Sequence, residues 1–376
     1  MKKVLLLGST GSIGQNTLDI IRLYTEEFLL VGLQAHSNEP LLLQNGAEFP
    51  HALLCLSGRR PDSQLISYQG GVGILQLIED SRADIVVNGI VGASGLGPSV
   101  KSLECGMNLA LANKESMVLA GSLIKHLASV NNCRLLPVDS EHSALFMLLE
   151  NQRKENVSEI ILTASGGPFR NKSLEEFSSI SIDEALAHPT WSMGRKISID
   201  SATMANKGLE VIEAQQLFDF DVDRIKVLIH PQSYVHSLIR TKDMALYAQI
   251  SEPDMRLPIQ DALFYPQMRK VPWTYLDLAG KTLEFNEPDL KKFPMLHHAF
   301  ECARQGAASP IAYNGANEVA VDAFLKEKIG FTAIADVTAH TLEFDWFKQH
   351  NTVDEILESD RKSREIAESY IRTLKT

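Results

Sequence analysis

The sequence predicts an α/β chain in three parts: an N-terminal doubly wound parallel sheet, a central α+β region with an open sheet, and a C-terminal α-helical bundle. Three observations predict it. Short apolar runs alternate with helical patterns up to about residue 139, which means a parallel sheet with right-handed crossovers. Three more β-type runs, RIKVLIH, SYVHSLIR and MALYAQI, crowd into 224–250. After about residue 290 the strand signals vanish. The expected segments are 1–139, 140–265, a linker 266–289, and 290–376. A chain of 376 residues is long enough for two or three domains.

The first element is the apolar run VLLL, followed by GSTGSIG and then QNTLDIIRLY. A strand, a turn with Gly8, Gly11 and Gly14, and a helix make a Rossmann-type start. Glycines let the backbone approach a pyrophosphate, which then sits on the helix N-terminus. The next strand, FLLVGLQA (28–35), ends without the Asp or Glu that would hold the ribose 2′-OH of NAD. It runs into Ala35, His36, Ser37 and Asn38, small groups that favour NADP, although no Arg stands at that turn. HALLCLS, ADIVVNGI, NLALAN and CRLLPV read as further strands. VGILQLIED, SGLGPSVKSLECG and ESMVLAGSLIKHLASV read as the helices between them.

Two loops at strand carboxyl ends are chemically loaded. Asn113-Lys114-Glu115 places a lysine at the cofactor crevice, or simply opens a helix with an acidic first turn. Asp139-Ser140-Glu141-His142 has two readings. If it is extended, Asp139 and Glu141 share a face and need a cation such as Mg²⁺ or Mn²⁺ between them. If it is helical, it is a capped first turn. SEIILTAS (158–165) is another apolar strand, ending in Ser165-Gly166-Gly167, a phosphate cradle or a flexible turn. Residues 171–187 read as short helices. His188 to Gly194 is a loop rich in Pro, Trp and Met that suits a lid.

KISIDSATMANKGLE (196–210) is the densest polar segment. In a helix, Asn206 and Glu210 are i,i+4 neighbours and Lys207 and Glu210 are i,i+3. With Asp200 or Ser201 as N-cap, the segment offers a hydroxyl, an amide, an ammonium and a helix N-terminus to a phosphate. Glu210 would repel a phosphate and wants a cation. Beyond it, SYVHSLIR and MALYAQI flank TKD as a hairpin. The prolines of 251–289 mark an extended linker, and four helical stretches complete the chain.

Hydrophobic content of 44% and charged content of 22% are ordinary for a globular protein. A net charge of −11 argues against a nucleic-acid partner. The four cysteines form no CxxC pair, which suits a reducing cytoplasm. No apolar stretch approaches a membrane span or a signal peptide. Residue by residue, this describes an NADP-dependent enzyme acting on a phosphorylated hydroxy-ketone or aldehyde, with a divalent metal polarising the oxygens. No Ser-His-Asp set appears in the loops.

GSTGSIG, LANKES, PVDSEHSA, LTASGGPF, HPTWSMGRKISIDSATMANKGLE, LIHPQS, EPDMRLPI and AYNGANEVAVDAFL occur in this order. They resemble the signature of the 1-deoxy-D-xylulose-5-phosphate reductoisomerases. The resemblance implies rearrangement of 1-deoxy-D-xylulose 5-phosphate and reduction by NADPH to 2-C-methyl-D-erythritol 4-phosphate, a step of non-mevalonate isoprenoid precursor synthesis. It implies Asp139, Glu141 and Glu210 as ligands of Mg²⁺, Mn²⁺ or Co²⁺. Substrate would meet Lys114, Ser140, Glu141, Ser165, His188, Ser201, Asn206, Lys207 and Glu210. Lys114, Asp139, Glu141 and Glu210 would carry the catalysis. NADPH would meet Thr10, Gly11, Ser12, Ile13, Ser37, Asn38, Asn113, Glu115 and Gly194. Also implied are a homodimer and a mobile loop, here 185–195. Lys207 and Glu210 then belong to opposite ends of the bound substrate. Two positions depart from the pattern: Thr190 replaces a common Asn, and Ser37 stands where relatives often carry Lys or Arg. The competing readings are another NADP-dependent dehydrogenase and a non-catalytic NADP-binding regulator.

Overall fold

The computed structural model describes residues 1–191 and 193–374. Its elements in chain order are β1 (Lys2–Leu7), α1 (Ser12–Leu23), β2 (Phe28–Ala35), α2 (Glu39–Glu48), β3 (Leu53–Leu56), β4 (Tyr68–Gln69), α3 (Gly70–Ser81), β5 (Ile85–Asn88), α4 (Leu96–Glu104), β6 (Asn108–Leu111), α5 (Lys114–Val130), β7 (Leu135–Pro137) and α6 (Ser140–Glu150). They continue with β8 (Val157–Ala164), α7 (Ile182–Leu186), α8 (Arg195–Thr203), α9 (Ala205–Phe218), β9 (Ile225–Ile229), β10 (Val235–Thr241), β11 (Leu246–Ile250) and α10 (Arg256–Phe264). The last four helices are α11 (Pro294–Gln305), α12 (Ser309–Leu325), α13 (Ala333–Leu342) and α14 (Val353–Thr373).

The first of two compact units comprises Met1–Ser116, Ser122–Ser143 and Asp254–Pro272. Its sheet has seven strands in the order β4-β3-β2-β1-β5-β6-β7, every pairing parallel. Val4, Leu5, Leu6 and Leu7 have no exposed surface, as a strand covered on both faces requires. The order reverses at β1, so the crevice between β1 and β5 is the switch point where ligands bind in such sheets.

One expectation is corrected here. The proline-rich stretch after residue 251 contains a helix, α10, which belongs to the first unit. Pro258 falls in its first turn, where a missing N–H costs nothing. Burial of Ile259, Leu263 and Phe264 overrides the proline signal, and Phe264 packs edge-on against Tyr24 and Phe28 at 4.9 and 4.8 Å.

The second unit comprises Met117–Gly121, Ala144–Pro253 and Trp273–Thr376. Its mixed sheet runs β11-β10-β8-β9, with β8 parallel to β9 and antiparallel to β10. The run SEIILTA is therefore an interior strand of this sheet. The hairpin β10–β11 forms as the TKD turn predicts. One apolar core joins this sheet to α9 and the C-terminal helices, through Leu162, Leu209, Ile212, Leu296, Tyr313 and Ala316. Gly208 permits that join: a Cβ there would lie 2.7 Å from both the Ala299 Cβ and the Tyr313 hydroxyl. The glycine of NKGLE thus clamps α9, and the polar groups before and after it, onto the bundle.

Candidate functional site

In the first unit, four predicted loops emerge from the same end of the parallel sheet, after β1, β2, β6 and β7. Gly8 has φ +77°, and a Cβ there would stand 2.6 Å from the Gly89 carbonyl oxygen. Gly14 is tighter still, at 2.4 Å from the Gly8 oxygen. Both demand glycine, and they press the start of α1 against the end of β1. Gly11 caps α1 with no side-chain acceptor, so no cap side chain claims the first-turn N–H groups beside Thr10, Ser12 and Ile13. Asn38 caps α2 by accepting from Leu41 N at 3.2 Å, directly after Ser37.

Asn113 caps α5, accepting from Ser116 N at 3.0 Å. Its amide nitrogen donates to Ile90 O at 2.7 Å, Gly92 O at 2.9 Å and the Glu115 carboxylate at 3.0 Å. Asn88 continues the buried network, donating to Gly95 O at 3.0 Å and Ser99 Oγ at 2.8 Å. A polar lattice of this kind holds a loop rigidly where an apolar contact would let it slide. Lys114 follows, 5% exposed, and forms an ion pair with Asp139. A buried ammonium needs such a partner.

Residues 139–141 are not extended. Asp139 precedes α6 and accepts from Ser143 N at 2.8 Å through its carbonyl, so the helical reading of this loop holds. The strand-alternation argument for Asp139 and Glu141 therefore fails: a short β7 ends at Pro137 and the chain turns into helix at once. Ser140 Oγ donates to Glu141 at 2.6 Å, and the buried His142 ring lies 4.0 Å from the Asp139 carboxylate.

In the second unit, Ser165 opens the loop after β8, and Gly166 and Gly167 take φ +81° and +66°. A Cβ on Gly167 would fall 2.7 Å from the Ser201 carbonyl oxygen, so this turn seats directly on α8. Ser165 Oγ lies 3.1 Å from His188 Nε2. The backbone N–H groups of Thr190 and Trp191 donate to His188 Nδ1 at 3.1 and 2.9 Å. Nδ1 is then the acceptor, and the ring proton sits on Nε2, facing Ser165. Burial pushes the imidazole down to about 4, with Arg170 adding repulsion, so the ring is neutral. Ser165, His188 and Ser201 thus gather around one glycine turn. Gly194 caps α8. Of the loop 185–195, Ser192 lies outside the described residues.

The expected N-cap at Asp200 or Ser201 is overturned. Both lie inside α8; Met204, at φ 63°, breaks the chain before α9 begins. Asp200 is 1% exposed and pairs with Lys196 at 2.7 Å and Asn317 at 2.8 Å. The free helix start is that of α9, which the Met204 side chain does not cap and whose first turn carries Asn206 and Lys207.

Glu210 has no exposed surface. Asn206 donates to one of its oxygens at 2.5 Å and Lys207 forms an ion pair with the other. Lys207 and Glu210 are i,i+3 neighbours in α9, and in this structure they meet directly. Sequence reasoning gave no role to Asn88, His142 or Asn317. A polar residue ending a fully apolar strand was the available signal for Asn88; His142 and Asn317 had none.

A parallel sheet opened by a glycine turn, with a second unit rich in buried, paired charge, defines a two-unit α/β protein of the dinucleotide-binding class. Family profiles described as 1-deoxy-D-xylulose 5-phosphate reductoisomerase, its C-terminal domain, and DXP reductoisomerase C-terminal domain match residues 4–121, 135–218 and 250–366. The 1-deoxy-D-xylulose 5-phosphate reductoisomerase of Treponema denticola is 47% identical over 367 residues, covering 97% of this chain and 96% of that protein. That of Chlorobium phaeovibrioides is 44% identical over 384 residues, covering 99% and 100%. A crystal structure of DOX-P reductoisomerase in complex with NADPH, fosmidomycin and magnesium matches with TM-score 0.92 and 39% identity over 100% of both chains. The Zymomonas mobilis enzyme in complex with NADPH matches with TM-score 0.90 and 36% identity, covering 98% and 99%. The chain belongs to the 1-deoxy-D-xylulose 5-phosphate reductoisomerase family.

Proposed function

We propose that this protein converts 1-deoxy-D-xylulose 5-phosphate to 2-C-methyl-D-erythritol 4-phosphate, using NADPH and a divalent cation. The end-to-end family match carries this reading. The residues fit both groups. The close-packed glycine turn and uncapped start of α1 suit a pyrophosphate, with Thr10, Gly11, Ser12, Ile13, Ser37, Asn38, Asn113, Glu115 and Gly194 as the NADPH contacts. Asp139, Glu141 and Glu210 are hard oxygen donors that suit Mg²⁺, Mn²⁺ or Co²⁺. Two of the three already hold a lysine ammonium, the kind of charge a metal replaces.

When bound, the cation polarises the substrate's oxygens and NADPH supplies hydride. The chain's own groups do the rest. Lys114 stabilises the oxygen that gains negative charge. Ser165, Ser201, Asn206, Lys207 and neutral His188 hold the phosphate, and His188 Nε2–H is a ready donor. Ser140 orients Glu141 through its 2.6 Å hydrogen bond. Loop 185–195 excludes water, and phosphate binding remote from the reacting carbons positions the substrate. In functional terms the cofactor part is 1–139 together with α10, the catalytic part runs from 140 to Pro253, and 290–376 is the helical support.

The protein acts as a homodimer. The edge strand β11 leaves Leu246, Tyr247 and Ile250 partly exposed, at 49%, 42% and 37%, an apolar edge that a second copy would cover. Free thiols at Cys55, Cys105, Cys133 and Cys302 suit a cytoplasmic setting. No described helix is long and apolar enough to cross a membrane.

The test is NADPH oxidation by purified protein with 1-deoxy-D-xylulose 5-phosphate. Turnover should require Mg²⁺ or Mn²⁺ and stop on chelation. Metal-independent turnover, or none, sinks the proposal; an NADP-binding regulator would give none, and another dehydrogenase would reject this substrate.

A further inference from the structure

The turn after β2 carries no cation, yet the fold delivers one to it. Strands β2 and β3 pair in register, with Ala35 beside Leu56, so their carboxyl ends are level. The loop that follows β3 is Ser57-Gly58-Arg59-Arg60. Gly58 N donates to His36 O at 2.6 Å, and a Cβ on Gly58 would lie 2.6 Å from His36 Nε2. The loop is therefore pressed onto the turn His36–Asn38. Gln34 binds both to the glycine turn: its side-chain oxygen accepts from Gly8 N at 2.9 Å and its amide donates to Ser57 Oγ at 2.8 Å.

Arg59 is held where the turn ends. Its guanidinium pairs with Glu39 at 2.7 Å, and Glu39 directly follows Asn38. Glu39 is 4% exposed and also accepts from the backbone N–H groups of Asp62 and Ser63, at 2.9 and 2.8 Å. Its oxygens are saturated by these partners. A second carboxylate, Asp62, touches Arg59 at 3.0 Å but is almost fully solvated, so this contact is weak and easily exchanged. Arg60 is exposed and forms no ion pair among the described residues.

We infer that Arg59 and Arg60 bind the 2′-phosphate of the dinucleotide and make this chain selective for NADPH over NADH, a role that Ser37 cannot fill. The inference rests on the NADPH reading above. A phosphate that displaces Asp62 meets two guanidinium groups and one saturated carboxylate. Arg presents the fork of donors that phosphate oxygens accept, and no carboxylate at Ser37 or Asn38 stands in the way.

Calorimetric titration of the metal-free protein with NADPH, NADH and adenosine 2′,5′-bisphosphate tests it. In the Arg59→Ala/Arg60→Ala variant, affinity for NADPH and the bisphosphate should fall about 30-fold, roughly what loss of charged hydrogen bonds removes. NADH affinity should stay within about twofold, because it makes no such hydrogen bonds. Arg59→Lys/Arg60→Lys should retain much of the preference. NADPH affinity unchanged in the Ala variant overturns the inference, as does an equal loss for both dinucleotides, which would mark the pair as structural. Wild-type protein that binds neither dinucleotide overturns the NADPH reading itself.

Discussion

Lys207 and Glu210 stand one turn apart in α9 and form a buried ion pair, with Asn206 donating to the other carboxylate oxygen at 2.5 Å. Each partner is almost wholly removed from water. Such a pair is held by mutual need: neither charge survives burial alone. On the metal assignment proposed above, a cation would take over the Glu210 oxygen that Lys207 now holds and would release the ammonium toward the substrate phosphate.

Removing the ammonium should expose that dependence. Lys207→Met is expected to cost about 3 kcal/mol of stability in the metal-free protein, the usual penalty for orphaning a buried charge. Added Mn²⁺ should recover more stability in the variant than in the wild type. Urea unfolding with and without Mn²⁺ measures both; equal stability of the two metal-free proteins would refute the pairing argument.

Removing the charge of Glu210 acts on turnover instead. Glu210→Gln keeps the shape and the Asn206–Lys207 neighbourhood but offers a poor metal ligand. Turnover should fall by roughly 100-fold or more, while the NADPH dissociation constant stays put, because Glu210 is not among the proposed NADPH contacts. Steady-state kinetics beside a direct binding titration decides it, and a near-normal rate would remove Glu210 from the ligand set.

His188 gives a pH signature. Its folded value of about 4 lies below the ordinary 6.5, so folding favours the neutral ring. The stabilisation is complete above about pH 6.5 and is lost as pH falls toward 4, because the unfolded chain takes up the proton first. His188→Gln should flatten the rise of stability between those values. A nuclear magnetic resonance titration of the ring should show a midpoint well under 6; a midpoint at 6.5 would contradict the buried, doubly bonded Nδ1.

The glycine turn is testable by one methyl group. Gly14→Ala places a Cβ 2.4 Å from the Gly8 oxygen, and should cost about 1–3 kcal/mol and abolish NADPH binding by displacing α1. Gly97→Ala, in α4 with nothing within 4 Å of the added carbon, should leave binding intact and stability equal or slightly higher. Thermal melts and fluorescence titration of both variants separate a packing role from a generic loss of glycine.

Much of the fold was legible because its signals are local. The apolar strands of the first sheet, the glycine turn and the final helices each declare themselves within ten or twenty residues. The hidden helix α10 was not legible, since Pro258 reads as a breaker until tertiary burial of Ile259, Leu263 and Phe264 outweighs it. The start of α9 was misplaced for a related reason: Asp200 and Ser201 look like caps, but Lys196 and Asn317 claim Asp200 inside α8.

By itself, then, the sequence determined the parallel sheet, the loops that carry polar groups, the family, and the chemistry those residue types support. Periodicity and residue type are properties of the chain, and they survive without coordinates. Only the tertiary structure decided which groups pair. Lys114 takes Asp139, Lys207 takes Glu210, and Arg59 reaches Glu39 from the next strand over. A buried charge must find a partner within a few ångströms, and which partner is near depends on helix starts and strand register, quantities that packing sets and residue type does not.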